Sequence, residues 1–205
     1  MQAQISPYGK EEVLFYEEHL YSMEQTMQTV IDYIGVVKSN IGQDIGHDPI
    51  EHIKARIKSA SSMKDKLVRK ELEPTIEHAL KIIKDSIGIR IVCTFISDVY
   101  ECARLLEDLS GFTVVEVKDY IRDPKPNGYR SYHMILRQQF TGYHVEIQLR
   151  TIAMDCWAAL EHQMKYKKKI SNEKLLEKEL KRCADEMAST DLSLEAMRDL
   201  IQMEE

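Results

Sequence analysis

The sequence Lys118-Asp-Tyr-Ile-Arg-Asp-Pro-Lys-Pro-Asn-Gly-Tyr-Arg-Ser-Tyr-His133 connects two segments that have the composition of β-strands. Phe112 to Val117, just before it, is rich in β-branched and aromatic residues, and Ser131 to Gln138 is again strand-like. The two prolines exclude a helix between these segments, and Asn127-Gly128 is a strong turn dipeptide. The stretch therefore predicts two strands joined by a tight turn.

The turn places Tyr129 between two positively charged side chains, Lys125 and Arg130. An aromatic ring beside cations on a glycine-containing loop suits a nucleotide, because the base can stack on the ring while the phosphates contact the cations. A charged surface hairpin whose tyrosine only packs against its neighbours explains the stretch equally well. Both interpretations stay open at this point.

The chain has 205 residues, of which 43% are hydrophobic and 30% charged, as expected of one globular domain with or without an appendage. The formal net charge of -6 argues against a protein whose whole surface binds nucleic acid. Between Lys54 and Lys70, however, Asp65 is the single acidic residue among many basic ones. A local basic patch on an acidic protein predicts a small polyanion as partner. The basic residues of this segment are Lys54, Arg56, Lys58, Lys64, Lys66, Arg69 and Lys70.

The sequence also gives expectations about the cellular compartment. The cysteines are far apart and form no Cys-x-x-Cys pair, so we expect reduced thiols in the core of a cytosolic protein. No segment approaches a membrane span, and the N-terminus has neither the basic nor the apolar region of a signal peptide. We therefore expect a cytoplasmic protein without membrane contact. The cysteines are Cys93, Cys102, Cys156 and Cys183.

Three further segments carry strand patterns. Ile50 to Lys58 alternates with a period of two, so that one face is apolar and the other basic. Lys84 to Cys93 leads into a strand that is apolar at nearly every position, which predicts a central strand covered on both faces. Arg90 is the exception there, and a buried arginine is costly without a partner. Tyr143 to Arg150 also alternates, and it forms a predicted hairpin with Ser131 to Gln138. Its alternate polar residues fit a face in water and the lining of a cleft equally well.

Helices are predicted around these strands from the period of the apolar residues and from capping residues. The first covers Lys10 to Ser39 with one break, and the segment Asn40 to Pro49 ends it. The last, Ser171 to Glu205, is predicted as two amphipathic pieces separated near Thr190 to Ser193. The others are a helix capped by Ser59, Ser61 or Ser62 that reaches Leu72, one from Pro74 to Ile83, one capped by Asp98 that ends near Leu109, and one from Thr151 to Tyr166.

Two carboxylates stand beside basic or polar strand positions: Asp85 before the central strand, and Glu146 on the polar face of another. Such a pair is what a hard cation such as magnesium needs when substrate phosphates also hold it. Ser62 and Lys66 lie one turn apart at the start of a helix whose free N–H groups can serve a phosphate. The His47-Asp48 pair lacks further His or Asp ligands at suitable spacing for a metal site.

The chain resembles the synthetase domains of RelA/SpoT-type proteins over about residues 45 to 168, in five motifs that occur in the same order. The resemblance implies an α/β (α+β) fold, a nucleotidyltransferase-like mixed sheet of about five strands flanked by helices. It also implies an N-terminal helical region over 1–44, the synthetase domain over 45–168 and a C-terminal helical tail over 169–205. The short length is similar to that of stand-alone small alarmone synthetases, which have no hydrolase domain. The motifs are Arg56-Ile-Lys58-x-x-x-Ser62-x-x-x-Lys66, Asp85-x-x-Gly88-Ile-Arg90, Lys118-Asp-Tyr-Ile through Lys125-Pro-Asn-Gly-Tyr-Arg-Ser-Tyr-His133, Glu146-Ile-Gln-Leu-Arg-Thr151 and Trp157-Ala-x-x-Glu161-His162.

The resemblance implies transfer of the β,γ-pyrophosphate of ATP to the ribose 3′-hydroxyl of GDP or GTP, which releases AMP and makes the stringent-response alarmone (p)ppGpp. Asp85 and Glu146 would hold Mg²⁺, and Glu146 would also assist removal of the hydroxyl proton. Arg56 and Arg90 would stack on the adenine, and Tyr129 on the guanine. The resemblance further assigns Lys58, Ser62 and Lys66 to the phosphates of ATP, and Lys118, Lys125, Asn127, His133 and, without a defined role, Gln148 to the guanine nucleotide.

Two other functions stay open: a catalytically idle nucleotide sensor, and a toxin-like pyrophosphokinase that acts on adenine nucleotides or transfer RNA. The presence of Asp85, Glu146 and Tyr129 together argues against the sensor. An enzyme that modifies RNA needs a broader basic surface than this acidic chain offers. The sequence departs from one part of the family at His52, where members that are activated by their own product carry an aromatic residue.

Both ends of the chain carry long apolar stripes, and one small sheet offers limited surface for burying them. The surplus predicts self-association, and the resemblance implies a homotetramer formed through the terminal helices. The alternative is that both helices fold back onto one monomer. The stripe of the tail consists of Leu175, Leu176, Leu180, Met187, Leu194, Met197, Leu200 and Ile201.

Overall fold

A computed structural model describes residues 4–5, 8–45, 47–166 and 172–203 of the chain. Within these residues the centre is a six-stranded mixed sheet with the strand order β1-β2-β3-β6-β5-β4. The strands are β1 (Gln4–Ile5), β2 (Ile50–Ile57), β3 (Ile87–Cys93), β4 (Phe112–Asp119), β5 (Tyr132–Gln138) and β6 (His144–Thr151). β1 runs parallel to β2 and β3 parallel to β6, whereas the other neighbouring pairs are antiparallel. The five predicted strands are confirmed, and β1 adds a short strand at the edge.

Helices precede, connect and follow the strands. They are α1 (Lys10–Tyr16), α2 (His19–Ile45), α3 (Ala60–Arg69), α4 (Ile76–Lys81), α5 (Ile96–Leu106), α6 (Ile152–Tyr166) and α7 (Glu173–Gln202). The predicted break in the first helix is confirmed at Glu17, which has a φ of 49°. The prediction that Asn40 to Pro49 ends the helix is wrong for its first part, because α2 continues to Ile45. Burial of Ile41 outweighs the cost of about 1 kcal/mol for a glycine such as Gly42 inside a helix.

Helix caps were predicted with mixed success. Ser59 caps α3, since its Oγ accepts from the N–H of Ser62 at 3.3 Å. The Oγ1 of Thr151 accepts the N–H of the third residue of α6 at 3.2 Å, as expected. Asp98, however, does not precede α5 but lies inside its first turn, where its Oδ2 accepts from the N–H of Phe95 at 3.1 Å. The helix therefore begins earlier than the sequence predicts.

The C-terminal tail is one helix, so the prediction of two pieces is wrong. The polar residues that suggested a break form hydrogen bonds within the helix. Thr190 and Ser193 each donate to the carbonyl oxygen four residues earlier, at 3.0 and 2.9 Å. Asp191 between them is buried and accepts from Thr151 Oγ1 at 2.6 Å. Polar side chains that find such partners do not end a helix.

The main hydrophobic core lies on one face of the sheet, where α2 and α5 cover the apolar side chains of the strands. The opposite face carries polar residues. The prediction that β3 is covered on both faces is therefore wrong at Gly88 and Arg90, which are half-buried on that polar face. The alternation of Ile50 to Lys58, by contrast, has the predicted consequence, with Ile53, Ala55 and Ile57 buried on the core side.

A second, smaller hydrophobic cluster joins α6 and α7. Trp157, Leu180 and Ala184 are buried in it, and Tyr129 packs against its edge. The indole Nε1–H of Trp157 donates to the carbonyl oxygen of Leu180 at 2.8 Å. Part of the tail is therefore a layer of the protein's own core. The prediction of core thiols holds for Cys93 and Cys102, which are buried, but not for Cys183, which is half-buried, or Cys156, which is exposed on α6.

Candidate active site

Strand register brings the candidate residues of five strands, β2 to β6, together on the polar face of the sheet. Arg56 and Glu146 flank Gly88 from either side. The next row across the sheet runs Lys54, Arg90, Gln148, His133 and Lys118. Paired residues of neighbouring strands point to the same face, so these side chains share one surface.

Asp85 lies in the turn before β3 and is the centre of a cation cluster. Its Oδ2 accepts from Lys58 Nζ at 2.8 Å and from Lys66 Nζ at 2.7 Å. Burial works to raise the pKa of Asp85, but the hydrogen bonds from the two lysines outweigh it and the pKa is lowered. Its Oδ1 is buried and has no hydrogen-bond partner among the described residues. One oxygen of an ionised carboxylate thus stays available.

Glu146 is the second carboxylate of this surface. Gln148 Nε2 donates to its Oε2 at 2.8 Å, and His133 Nδ1 lies 3.4 Å from its Oε1. Burial pushes the pKa of Glu146 upward, as does the nearby charge of Asp85, but His133 and Gln148 reverse the effect and the pKa is lowered. Glu146 is therefore ionised at neutral pH, with both carboxylate oxygens oriented by neighbours.

Two clefts open on the polar face, and Asp85 and Glu146 belong to the walls of both. We call the first, of about 380 Å³, the arginine cleft. The second, of about 340 Å³, is the histidine cleft. The arginine cleft is lined by Lys54, Ala55, Arg56, Lys58, Asp85, Gly88, Ile89, Arg90, Glu146 and Gln148, and the histidine cleft by Lys66, Lys70, Ile82, Ile83, Lys84, Asp85, Glu116, Lys118, His133, Ile135 and Glu146. The carboxylate pair is thus the boundary between two adjacent compartments.

The turn Lys125–Arg130 lies beside the histidine cleft rather than in its wall. Lys125 Nζ is 4.8 Å from the ring centroid of Tyr129, and the hydroxyl of Tyr129 is 2.8 Å from His133 Nε2. Asn127 shapes the turn, because its Oδ1 accepts from the N–H of Tyr129 at 3.2 Å and its Nδ2 donates to Glu161 Oε1 at 3.3 Å. The structure therefore connects Tyr129 to the carboxylate pair through His133.

Of the residues predicted to bind the phosphates of ATP, Ser62 alone lies apart from the lining of both clefts in the described structure. It is exposed on the first turn of α3, where Ser59 Oγ donates to its hydroxyl at 2.8 Å. The N–H groups of this turn are less free than the sequence suggests. Ala60 N–H already donates to Glu12 Oε1 at 3.1 Å, and that hydrogen bond is the main cause of the lowered pKa of Glu12.

The residues present fit a magnesium ion that substrate phosphates help to hold. Within the described part of the chain no cluster of three or more His, Cys, Asp and Glu could hold a metal by itself, and His47 and Asp48 contact Asp98 and Lys38 instead. Asp85 nevertheless offers an unpaired buried oxygen next to a second carboxylate. Two carboxylates plus phosphate oxygens and water are the usual ligand set of Mg²⁺.

Sequence reasoning gave no role to two residues behind this surface, Arg150 and Asp155. Both are buried, and Arg150 NH1 donates to Asp155 Oδ1 at 3.0 Å. Arg150 continues the polar alternation of β6 that contains Glu146 and Gln148, so the sequence carried a signal for it. Asp155 lies on α6, and nothing in the local sequence shows that it reaches back to β6.

Comparison with known proteins shows where this architecture recurs. The sequence profile described as "Region found in RelA / SpoT proteins" matches residues 55–171. The chain is 47% identical over 146 residues to GTP pyrophosphokinase YwaC of Bacillus subtilis, which covers 68% of this chain and 70% of that protein. It is 33% identical over 162 residues to GTP pyrophosphokinase YjbM of the same organism, covering 76% of this chain and 75% of that one.

Solved structures with the same fold include two enzymes of this kind. The crystal structure of small alarmone synthetase 2 from Bacillus subtilis superposes with a TM-score of 0.77 at 35% identity, covering 90% of this chain and 98% of that one. That of small alarmone synthetase 1 from the same organism, bound to its product pppGpp, has a TM-score of 0.78 at 29% identity, covering 91% and 98%. None of the helices described here is long and apolar enough to span a membrane.

Proposed function

Because the chain belongs to the RelA/SpoT family, we propose that it is a small alarmone synthetase, a GTP pyrophosphokinase that transfers the β,γ-pyrophosphate of ATP to the 3′-hydroxyl of GDP or GTP. The observation that carries this reaction is the pair of clefts that share Asp85 and Glu146. A transfer between two nucleotides needs two adjacent sites whose reacting atoms meet at one place. The carboxylate pair is that place.

The arginine cleft is the site we propose for ATP. Arg56 and Arg90 contribute flat guanidinium groups that stack well on a base. Arg90 Nε is buried without a hydrogen-bond partner in the described structure, and burial is the main cause of the lowered pKa of this side chain. A hydrogen-bond acceptor on a bound nucleotide would therefore lower the free-energy cost of burying Arg90. Lys58, in the same cleft, lies where it can exchange Asp85 for a phosphate.

The histidine cleft, with the turn Lys125–Arg130 beside it, is the site we propose for GDP or GTP. Tyr129 would stack on the guanine, and Lys125 and Lys118 would contact the phosphates. His133 lines the cleft and contacts both Tyr129 and Glu146, so it suits the ribose between them. Asn127 contributes by holding the turn, and Gln148 by orienting Glu146.

Lys66 and the exposed Ser62 would reach the phosphates of ATP from α3.

The carboxylate pair supplies the chemistry of the transfer. Asp85 and Glu146 would hold Mg²⁺, which when bound neutralises the charge on the transferring phosphates. Glu146 is ionised and can accept the proton of the attacking 3′-hydroxyl as the new P–O bond forms. AMP leaves with the electrons of the broken α,β-phosphoanhydride bond. Lys58 and Lys66 already form a cation cluster at Asp85, which suits the negative charge that builds up there.

The proposed bounds of the catalytic unit are residues 45–168, with helical regions over 1–44 and 169–205 that assemble a homotetramer. The second half of α7 supports the assembly, because apolar side chains there are exposed although the first half packs against Trp157. The exposed residues of the predicted stripe in this second half are Leu194, Met197, Leu200 and Ile201. We place the reaction in the cytoplasm, where unpaired thiols such as those of this chain stay reduced.

A transfer assay tests the proposal against its alternatives. The purified protein is incubated with Mg²⁺ and ATP labelled in the γ-phosphate, plus GDP, GTP, ADP or deacylated transfer RNA in separate reactions. We expect the label in a guanine nucleotide, with AMP released in equal amount. Label in ADP or transfer RNA identifies the toxin-like activity, and nucleotide binding without transfer identifies a sensor. Either result contradicts the proposal.

A further inference from the structure

Arg150 is a buried cation whose three nitrogen groups all have partners. It ends the polar row of β6 and is 4% exposed. Its NH1 donates to Asp155 Oδ1 at 3.0 Å, and its Nε lies 3.4 Å from Ser131 Oγ. Burying a guanidinium is costly, and the ion pair with the carboxylate of Asp155 offsets part of that cost. The remaining nitrogen, NH2, points toward the candidate active site.

The NH2 group of Arg150 contacts two residues of that site. It donates to the hydroxyl oxygen of Tyr129 at 2.8 Å and to Gln148 Oε1 at 3.0 Å. The guanidinium carbon also lies 5.2 Å from the centroid of the Tyr129 ring. One side chain thus holds an aromatic ring on the Lys125–Arg130 turn and an amide on β6 at a fixed distance from each other.

Both contacts lead on to Glu146. Through Gln148, whose Nε2 donates at 2.8 Å, Arg150 reaches Glu146 Oε2. Through Tyr129 and His133 it reaches Glu146 Oε1, with 2.8 Å between the tyrosine hydroxyl and His133 Nε2 and 3.4 Å between His133 Nδ1 and the carboxylate. The five residues form a closed ring of contacts that starts and ends at Arg150.

The donors of this ring are consistent in direction. Arginine can only donate, so the hydroxyl oxygen of Tyr129 accepts from Arg150 and its proton is free to point at His133 Nε2. His133 then carries its proton on Nδ1, the nitrogen that faces Glu146. Gln148 accepts from Arg150 with its oxygen and donates to Glu146 with its nitrogen. Each hydrogen bond of the ring therefore uses a different proton.

We propose that Arg150, clamped by Asp155, is a positioning residue that sets the Glu146 carboxylate relative to the ring of Tyr129. This inference rests on the proposed function, in which Tyr129 binds the guanine and Glu146 accepts the proton of the 3′-hydroxyl. Fixing the two against each other aligns the acceptor hydroxyl with its base. The same oxygen of Asp155 also contacts Arg90 NH1 at 3.0 Å, so one carboxylate steadies residues beside both clefts.

A mutant cycle on kcat separates this role from mere filling of a buried site. Arg150→Lys keeps the charge but loses the planar donor set that reaches two partners. We expect kcat to fall by about 10²-fold, as for a small misplacement of reacting groups, with the KM for ATP changed less than about threefold. In the background Tyr129→Phe, Gln148→Met, both routes to Glu146 are cut. There Arg150→Lys should lower kcat by less than about threefold further.

Controls and second variants keep the test decisive. Arg104→Lys, on the exposed face of α5, is the matched control and should match wild type. If Arg150→Lys fails to fold, Asp155→Asn, of nearly equal volume, takes its place in the cycle. Asp155→Asn should also raise the KM for ATP, since it releases Arg90 as well. Thermal unfolding of every variant shows whether a loss of kcat is a loss of folded protein.

The wild-type protein is measured first in the same assay. Transfer by wild type together with an unchanged kcat in Arg150→Lys overturns the role of Arg150 alone. Losses that multiply in the double-route background also overturn it, because Arg150 then acts independently of Tyr129 and Gln148. Absence of transfer by wild type overturns the proposed function and, with it, this inference.

Discussion

The arginine cleft and the turn Lys125–Arg130 position their residues by different means. Arg56 and Arg90 stand on neighbouring central strands, where the ladder of β2 and β3 fixes their spacing. Tyr129 stands on a loop, and the loop depends on contacts with other elements, including α7. The close approach of Gly128 to Ala184 shows this dependence. We therefore expect substitutions near the arginine cleft to alter ATP binding. Binding of the guanine nucleotide should respond to substitutions in α7 as well as to those in the turn.

Removing the carboxylate that both regions share should have the largest effect. Glu146→Gln keeps the volume but loses a proposed metal ligand and the nearest base, so we expect transfer to be nearly abolished while the protein folds normally. Activity with GDP and ATP is the measurement. A rate within about tenfold of wild type, a change of roughly 1.4 kcal/mol or less in the barrier, contradicts the role. Glu101→Gln on α5, where the side chain is 43% exposed, is the matched control.

Gly128→Ala separates the two regions more finely. Gly128 has a φ of +92°, and a Cβ there would lie 2.6 Å from the Cβ of Ala184 on α7. We expect the KM for the guanine nucleotide to rise at least about tenfold, with that for ATP unchanged, because the turn must move away from α7. Gly111→Ala is a matched control, with a φ of +81° and nothing within 4 Å. Both lose about 1–2 kcal/mol of stability to backbone strain, but the control should keep its KM values.

Tyr129→Phe tests what the hydroxyl adds to the ring. The sequence predicts a mild effect, since stacking needs only the ring. The structure adds that the hydroxyl bonds Arg150 and His133 at 2.8 Å each. We therefore expect an almost unchanged KM for the guanine nucleotide and a decrease of up to about tenfold in kcat, the scale of a lost hydrogen bond of about 1 kcal/mol. An increase in KM that matches the decrease in kcat would assign the hydroxyl to binding instead.

The smallest effect on activity should come from the exposed half of α7. Removing the tail from Ser171 onward would disturb the assembly, but it would also uncover Trp157 and Gly128. Met197→Glu with Leu200→Glu leaves those contacts intact and should convert the proposed tetramer to smaller species in light scattering. Leu192→Glu, exposed outside the predicted stripe, is the control. A mass near 23.9 kDa for the unmodified protein at micromolar concentration rules the tetramer out.

Much of the fold was predictable from the sequence because the strands have a characteristic period and composition. The alternation of Ile50 to Lys58 predicted which side chains are buried, and Asn127-Gly128 predicted the turn. The errors lie where tertiary contacts outweigh local preference. The polar segment around Asp191 predicted a break in the C-terminal helix, but the hydrogen bond of Asp191 with Thr151 lets the helix continue. The apolar composition of β3 likewise predicted a strand covered on both faces, and Arg90 was the one residue of the strand that argued for an open face.

The site was predictable to a similar depth. Residues on alternating polar positions of β6 were found, but the sequence could not decide whether they face water or a cleft. The structure places Glu146 and Gln148 in clefts. Asp85 contacts Lys58 and Lys66, which are 27 and 19 residues away along the chain. Arg150 on β6 contacts Asp155 on α6, a different element. Local periodicity carries no information about such pairs.

Crossed binding measurements test the two-site account most directly. Calorimetry gives the Kd of a non-hydrolysable ATP analogue and of GDP, each measured alone, for wild type, Arg56→Ala and Tyr129→Ala. We expect Tyr129→Ala to weaken GDP by about 1–3 kcal/mol, the scale of base stacking, and to leave the ATP analogue within about threefold of wild type. Arg56→Ala should show the reverse pattern. Equal weakening of both nucleotides by either substitution would contradict the assignment of the arginine cleft to ATP and of Tyr129 to the guanine nucleotide.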